Sequence, residues 1–147
     1  MFEKSIAAQL DVPFEDLRDQ IPLAPAWGNK KNSEGKNVFW YGFKAHLAVG
    51  TKSQYILESL MSSGSLNDGK AAIPLLKRVD QLPLSICYDM MDAGYDYVPI
   101  YQQIHRMKAH SIIAYNKRNE GEVIGFDKNF APTCVREYSY RYDSSKR

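Results

Sequence analysis

Asn37-Val38-Phe39-Trp40-Tyr41-Gly42-Phe43-Lys44-Ala45-His46-Leu47-Ala48-Val49-Gly50 is the stretch on which the fold turns. Phe39, Tyr41, Phe43, Ala45, Leu47 and Val49 alternate with Trp40, Gly42, Lys44, His46 and Ala48. A period of two in a run rich in aromatic and β-branched residues reads as a strand, here with one strongly apolar face. Gly50-Thr51-Lys52-Ser53 suits a turn. Residues 53–64 then read as a second strand, antiparallel to the first, although Ile56, Leu57 and Leu60 also fit a helical spacing.

Downstream, residues 65–83 read as a helix. Asn67 or Asp68 can cap its start, and Ile73, Leu75, Leu76 and Val79 give it an apolar side. Pro74 fits only if it lies in the first turn, because a proline further in lacks the N–H that the helix needs. Residues 84–96 begin as a short apolar strand and end in an Asp-Gly loop. A helix over 98–110 places Ile100, Ile104 and Met107 on one side, residues 111–115 read as a buried strand, and 116–122 as a polar loop. The alternating aromatics of 136–143 suit another strand. Upstream, Ile6, Leu10, Phe14 and Leu17 form a helical stripe that Pro13 interrupts, so one helix ends near Leu10 and a second turn starts at Pro13. Pro22, Pro25, Gly28 and Gly35 mark residues 21–36 as a loop or linker. The middle of the chain is therefore β-β-α-β-α-β, an α/β layer whose sheet is mixed.

The 147 residues are 44% hydrophobic and 24% charged, enough apolar material for a packed core. Nineteen basic and 17 acidic residues give a formal charge of +2, which excludes a generally polycationic protein. Two cysteines exclude a disulfide scaffold. No apolar run reaches membrane length, and the acidic N-terminus does not resemble a signal peptide, so a soluble cytoplasmic protein is expected. The near-neutral total hides local differences. Residues 1–20 carry Glu3, Asp11, Glu15, Asp16 and Asp19 against Lys4 and Arg18. Lys30, Lys31, Lys36, Lys44 and Lys52 oppose Glu34 alone, and Arg106, Lys108, Lys117 and Arg118 lie in a stretch without acids. Either basic stretch, interleaved with Trp40, Tyr41, Tyr101 and Tyr115, suits a nucleic-acid backbone, or is simply a solvated face.

Ile86–Asp96 is the richest segment chemically, with Asp89, Asp92 and Asp96 in a loop between strand and helix. Ligands of α/β sheets bind at the carboxyl ends of strands, and carboxylates there suit Mg²⁺, which prefers oxygen. The alternative is that these acids cap the next helix. Lys44 and His46 share a strand face and either contact phosphate or lie half exposed. His105 and His110 read as surface histidines, Cys87 as a buried strand cysteine, and Cys134 has no local partner. No P-loop, GxGxxG or nucleophile elbow occurs.

Four motifs together resemble bacterial insertion-sequence transposases with an Asp-Asp-Glu (DDE) catalytic triad. Residues 27–36, beginning Trp27-Gly28, and 40–49, beginning Trp40-Tyr41-Gly42, are similar to the family's W-G-x-K-x-N-S-x-G-K and W-Y-G-Y-K-x-H-L-x-V stretches. Gly64-Ser65-Leu66-Asn67-Asp68 resembles the turn after the third strand, with Asn67 in the place of a histidine. Asp92-Ala93-Gly94-Tyr95-Asp96 resembles D-x-G-Y-D, whose first Asp is the second catalytic acid. The resemblance covers residues 6 to 143 and implies a partial RNase H-like mixed sheet with flanking helices. The family's first strand, with the first catalytic Asp, and its last helix, with the Glu, are expected to be missing. It divides the chain into an acidic helical lead-in and linker over 1–26, a partial catalytic core over 27–118 and the start of a β-rich insertion over 119–147.

The resemblance implies DNA transposition through two Mg²⁺ ions, with Asp92 as catalytic and metal-binding acid. Lys30, Lys31, Lys44 and His46 are offered as DNA contacts. One acid of three predicts a catalytically inactive remnant. A non-catalytic DNA-binding or regulatory fragment acting on a full-length transposase is the alternative. A third reading is a small metal-dependent hydrolase complete within Asp89, Asp92 and Asp96. DNA is the expected partner, no membrane is involved, and a raw sheet edge suggests association or homo-oligomerisation.

Overall fold

The alternating run forms one long strand, β2, over Asn37–Val49 in the computed structural model, which describes residues 5–116, 125–127, 131–133 and 138–139. Residues 53–64 resolve as strand rather than helix, with β3 over Ile56–Ser63 pairing antiparallel to β2 from Phe43↔Ser63 to Val49↔Ile56. The first half of β2 pairs antiparallel with a strand in the region read as a linker: β1, Ala26–Lys31, matches Ala26↔Gly42 through Lys31↔Asn37. The connecting turn is built by Asn32, whose side-chain oxygen accepts from the N–H groups of Glu34 and Lys36, and by Gly35 at φ +76°.

Gly28 disguised β1 as a loop. A Cβ at Gly28 would collide with the Trp40 ring and lie 2.5 Å from the Gly64 carbonyl oxygen, and one at Gly64 would lie 2.6 Å from the Ala26 oxygen. The two glycines therefore mark close approach of neighbouring backbone and the Trp40 indole, which is a role of glycine within strands as well as in turns.

α1 covers Phe14–Arg18, α2 Asp68–Asp80 and α3 Val98–Arg106. Asn67 caps α2, its side chain accepting from the Gly69 N–H at 2.9 Å. Pro74 lies in the interior of α2, beyond the first turn, which is the one place where the sequence reading allows it. It deletes the bond to the Lys70 carbonyl, and the fully buried ring is held by packing instead. α3 ends where Lys108 turns left-handed at φ 60°. β4, Tyr88–Met91, and β5, His110–Ile113, form a separate two-stranded parallel sheet. The mixed α/β character is thus divided between an antiparallel three-stranded sheet and a parallel pair.

The core gathers Leu17, Ile73, Leu76, Ile100 and Ile104, each nearly inaccessible, with Leu10, Phe14 and Ile21 from the acidic lead-in. Lys77 fastens that lead-in by donating to the carbonyls of Leu10 and Val12 at 2.8 and 2.7 Å. Arg106 also donates to the Leu10 carbonyl and pairs with Asp11.

The face of β2 that meets the core is the opposite of the one expected. Phe39, Tyr41, Phe43, Leu47 and Val49 are exposed, whereas His46 is buried and Trp40 and Lys44 are half-buried. Cys87 is exposed rather than buried.

The chain divides into units Met1–Tyr115 and Asn116–Arg147. In the second, Phe126 bridges Pro132 and Thr133 bridges Ser139, with Asp127 accepting from Ser139. Most of the strand expected over 136–143 lies outside the described residues, as do Cys134, Lys117 and Arg118. No described helix is long and apolar enough to cross a membrane.

Candidate active site

β4 delivers its last residues to a 3-10 turn over Ala93–Tyr95, and Asp92 caps that turn. Its Oδ1 accepts from the Gly94 N–H at 2.7 Å. Asp92 is exposed, so its carboxylate is open to a ligand. α2 brings a second acid from the other side of the sequence: Asp68, its first residue. Both carboxylates act on Tyr95, whose hydroxyl is pushed up to about 12 by burial first and then by the negative charges of Asp68 and Asp92. Tyr95 therefore stays a neutral phenol between two acids.

Lys44 completes the group. Its Nζ donates to the Leu66 carbonyl at 2.8 Å and to Asp68 Oδ1 at 3.0 Å, and it lies 5.6 Å from the centre of the Trp40 ring. His46, next on the same face, is 5% exposed and bonds Ser62 Oγ through Nε2 at 2.8 Å. Burial lowers its pKa; Asp68 opposes that shift and Lys44 adds to it. His46 is thus a packed neutral residue, and Lys44 has its ammonium engaged within the protein. Lys30 and Lys31 stand exposed on β1, where Trp27 and Tyr41 pair their rings at 5.5 Å.

The other two acids turn elsewhere, and Asp89 lies on β4 rather than in the loop where it was expected. Asp96 accepts from the Tyr101 hydroxyl at 3.0 Å, tying the loop to α3. Asp89 is half-buried, with Oδ2 buried and without a hydrogen-bond partner, and burial raises its pKa. The described residues hold no group of three or more His, Cys, Asp or Glu arranged for a metal. A hydrolase complete within Asp89, Asp92 and Asp96 therefore has no assembled site. The hard oxygen donors of Asp92 suit Mg²⁺, while Asp68 would have to share its carboxylate with Lys44.

Asp68 and Tyr95 are the members that sequence reading passed over. An Asn-Asp pair at a helix start reads as a cap, and Asn67 does cap, which freed Asp68 to face the turn after β4.

The family model for the transposase DDE domain matches residues 11–144. The chain belongs to that family. Comparison with curated proteins and with solved structures found no match. Transposition is the function that goes with a transposase DDE domain, DNA is the family's substrate, and its catalysis generally uses divalent metal. In this transposase domain the motif residues at 64–68 and 92–96, far apart in sequence, meet around Tyr95.

Proposed function

We propose that the chain is an insertion-sequence transposase core in which Asp92 is a metal-binding catalytic acid. The supporting observation is the convergence of Asp92 and Asp68 on the neutral Tyr95 at the carboxyl end of β4. Mg²⁺ bound there would polarise a phosphodiester oxygen and activate the attacking hydroxyl or water. Asp92 supplies an open carboxylate, Gly94 fixes its orientation, and Lys44 holds Asp68 in place. Lys30 and Lys31 track the DNA backbone from β1, in a cytoplasmic setting.

The chain alone is inactive in this reading, because a two-metal centre needs more carboxylates than the pair near Tyr95. Purified chain with Mg²⁺ and end-sequence DNA is expected to show no strand cleavage or joining. Activity that Asp92→Asn abolishes would confirm the acid and refute the inactivity.

The alternative, a non-catalytic DNA-binding or regulatory fragment, draws on the exposed Lys30 and Lys31 beside the Trp27–Tyr41 ring pair. Band shifts over a salt series test it. Replacing both lysines by alanine is expected to flatten the salt dependence by about two charge contacts. Absence of binding at low salt removes this reading.

A further inference from the structure

β1 and the first half of β2 form a two-stranded ribbon, and β3 pairs with β2 only from Phe43 onward. The ribbon is open on both faces. Lys30 and Val38 are exposed on one, and Asn29, Lys31, Asn37 and Phe39 on the other.

Directly opposed residues of an antiparallel pair share a face. Trp27 opposes Tyr41, Asn29 opposes Phe39, and Lys31 opposes Asn37. This face therefore carries three aromatic rings, at Trp27, Phe39 and Tyr41, which are 67%, 60% and 62% exposed. Phe39 and Tyr41 follow each other at about 6.8 Å along β2. The Trp27 and Tyr41 rings meet at 59°, so they are not stacked on each other. Along β2 the same side changes character. It is aliphatic at Leu47 and Val49, but at the ribbon it is aromatic, with an ammonium and two amides beside the rings. Glu34 is the only acid from Ala26 to Val49, and Lys36 pairs with it at 2.9 Å.

An apolar protein surface laid on this face would match the rings but desolvate the Lys31 ammonium and the Asn29 and Asn37 amides, which is costly without partners. A nucleic-acid strand matches both, base faces against the rings and phosphate against the ammonium. In a duplex the bases stack on one another and offer the protein only their edges and the phosphates. Base faces are available where the bases are unpaired.

We propose that the Trp27–Phe39–Tyr41 face of the ribbon is a stacking platform for unpaired bases of a DNA strand, with Lys31 on an adjoining phosphate. The inference rests on the reading of the chain as a transposase core acting on DNA, and adds that this surface takes unpaired rather than paired DNA.

The test uses the unaltered chain and three fluorescein-labelled probes: a dT 12-mer, the same strand paired with a dA 12-mer, and an abasic 12-mer that keeps the phosphates without bases. Fluorescence anisotropy over a salt series reads binding, and circular dichroism checks that each variant folds. The dT strand is expected to bind at least tenfold tighter than the duplex or the abasic strand. Trp27→Ala and Phe39→Ala should each weaken the dT strand at least fivefold and leave the abasic strand unchanged, whereas Trp27→Phe should keep most of the affinity. Lys31→Ala should weaken the dT and abasic strands alike and lower the salt slope by about 0.7. Equal binding of the dT and abasic strands, or a dT affinity that Trp27→Ala does not change, overturns the platform. Duplex binding as tight as that of the dT strand overturns it while leaving the transposase reading intact, and failure to bind any of the three probes at low salt overturns both. A dimer that Trp27→Ala dissociates, with dT binding unchanged, makes the occupant a second copy and also overturns it.

Discussion

The two faces of β2 differ in what they touch. On one, Trp40, Lys44 and His46 lie beneath α2, among bonds to Leu66, Asp68 and Ser62. On the other, Phe39, Tyr41, Phe43, Leu47 and Val49 are exposed, and Tyr88, Met90 and Ile112 of the smaller sheet are exposed as well. Lys44 and His46 are inside while Phe39, Tyr41, Phe43, Leu47 and Val49 are outside, so hydropathy did not choose the inner face. The helices did, because all three pack on the side where Leu17, Ile73, Ile100 and Ile104 come together. The free side of β2 is thus lined by exposed apolar residues, and large exposed apolar surfaces mark sites of interaction.

The largest effect should separate these faces. Ile104→Ala is expected to cost about 2–5 kcal/mol, read from urea unfolding, because it opens a cavity in the closed side. Leu47→Ala, at a residue 50% exposed, should stay within about 0.5 kcal/mol. A comparable loss at Leu47 would mean that the free face is covered in solution. Next in size is Gly28→Ala, expected to cost about 1–3 kcal/mol by driving a methyl group into the Trp40 ring and the Gly64 carbonyl. A neutral result there would show that β1 shifts freely against β2.

Gln9 supplies the opposite sign. It is 0% exposed, and both polar atoms of its amide lack partners. Gln9→Leu should therefore stabilise the chain by about 1–3 kcal/mol, since no hydrogen bond is lost and a desolvated amide is removed. A lower unfolding midpoint in Gln9→Leu would show that the amide is satisfied in solution.

These contrasts also explain what could be read in advance. Alternation made β2 visible, and the Asn67 cap and the Ile100–Ile104 spacing made α2 and α3 visible, because those signals are local. Alternation gives a period but not a direction: Lys44 and His46 can be inner residues only because Leu66, Asp68 and Ser62, 16 to 24 positions away, receive them. β1 was hidden because Gly28 and two prolines resemble loop chemistry, whereas Gly28 answers to Trp40. Asp92 was legible at a strand end; Asp68 was not, because its partnership with Tyr95 exists only once α2 and the turn after β4 are side by side.

The smallest effect is in pH, and His46 on the closed face and Asp89 on β4 should differ in sign. Burial lowers the pKa of His46 from 6.5, so below that pH the unfolded chain takes a proton that the folded chain resists. Stability attached to His46 is therefore present above pH 6.5 and is lost as pH falls below it. Burial raises the pKa of Asp89 from 3.8, so the folded chain keeps a proton that the unfolded one releases. Stability attached to Asp89 is present below pH 3.8 and is lost as pH rises through its folded pKa. Urea midpoints across the acid range should show His46→Gln flattening the decline below pH 6.5, and Asp89→Asn removing a loss on the way up from pH 3.8. If His46→Gln leaves the acid-side slope unchanged, the imidazole takes its proton as readily in the folded chain as in the unfolded one, and the closed face is wetter than its packing implies. If Asp89→Asn changes nothing, water reaches the Asp89 carboxylate, and its burial does not cost the fold the ionised form.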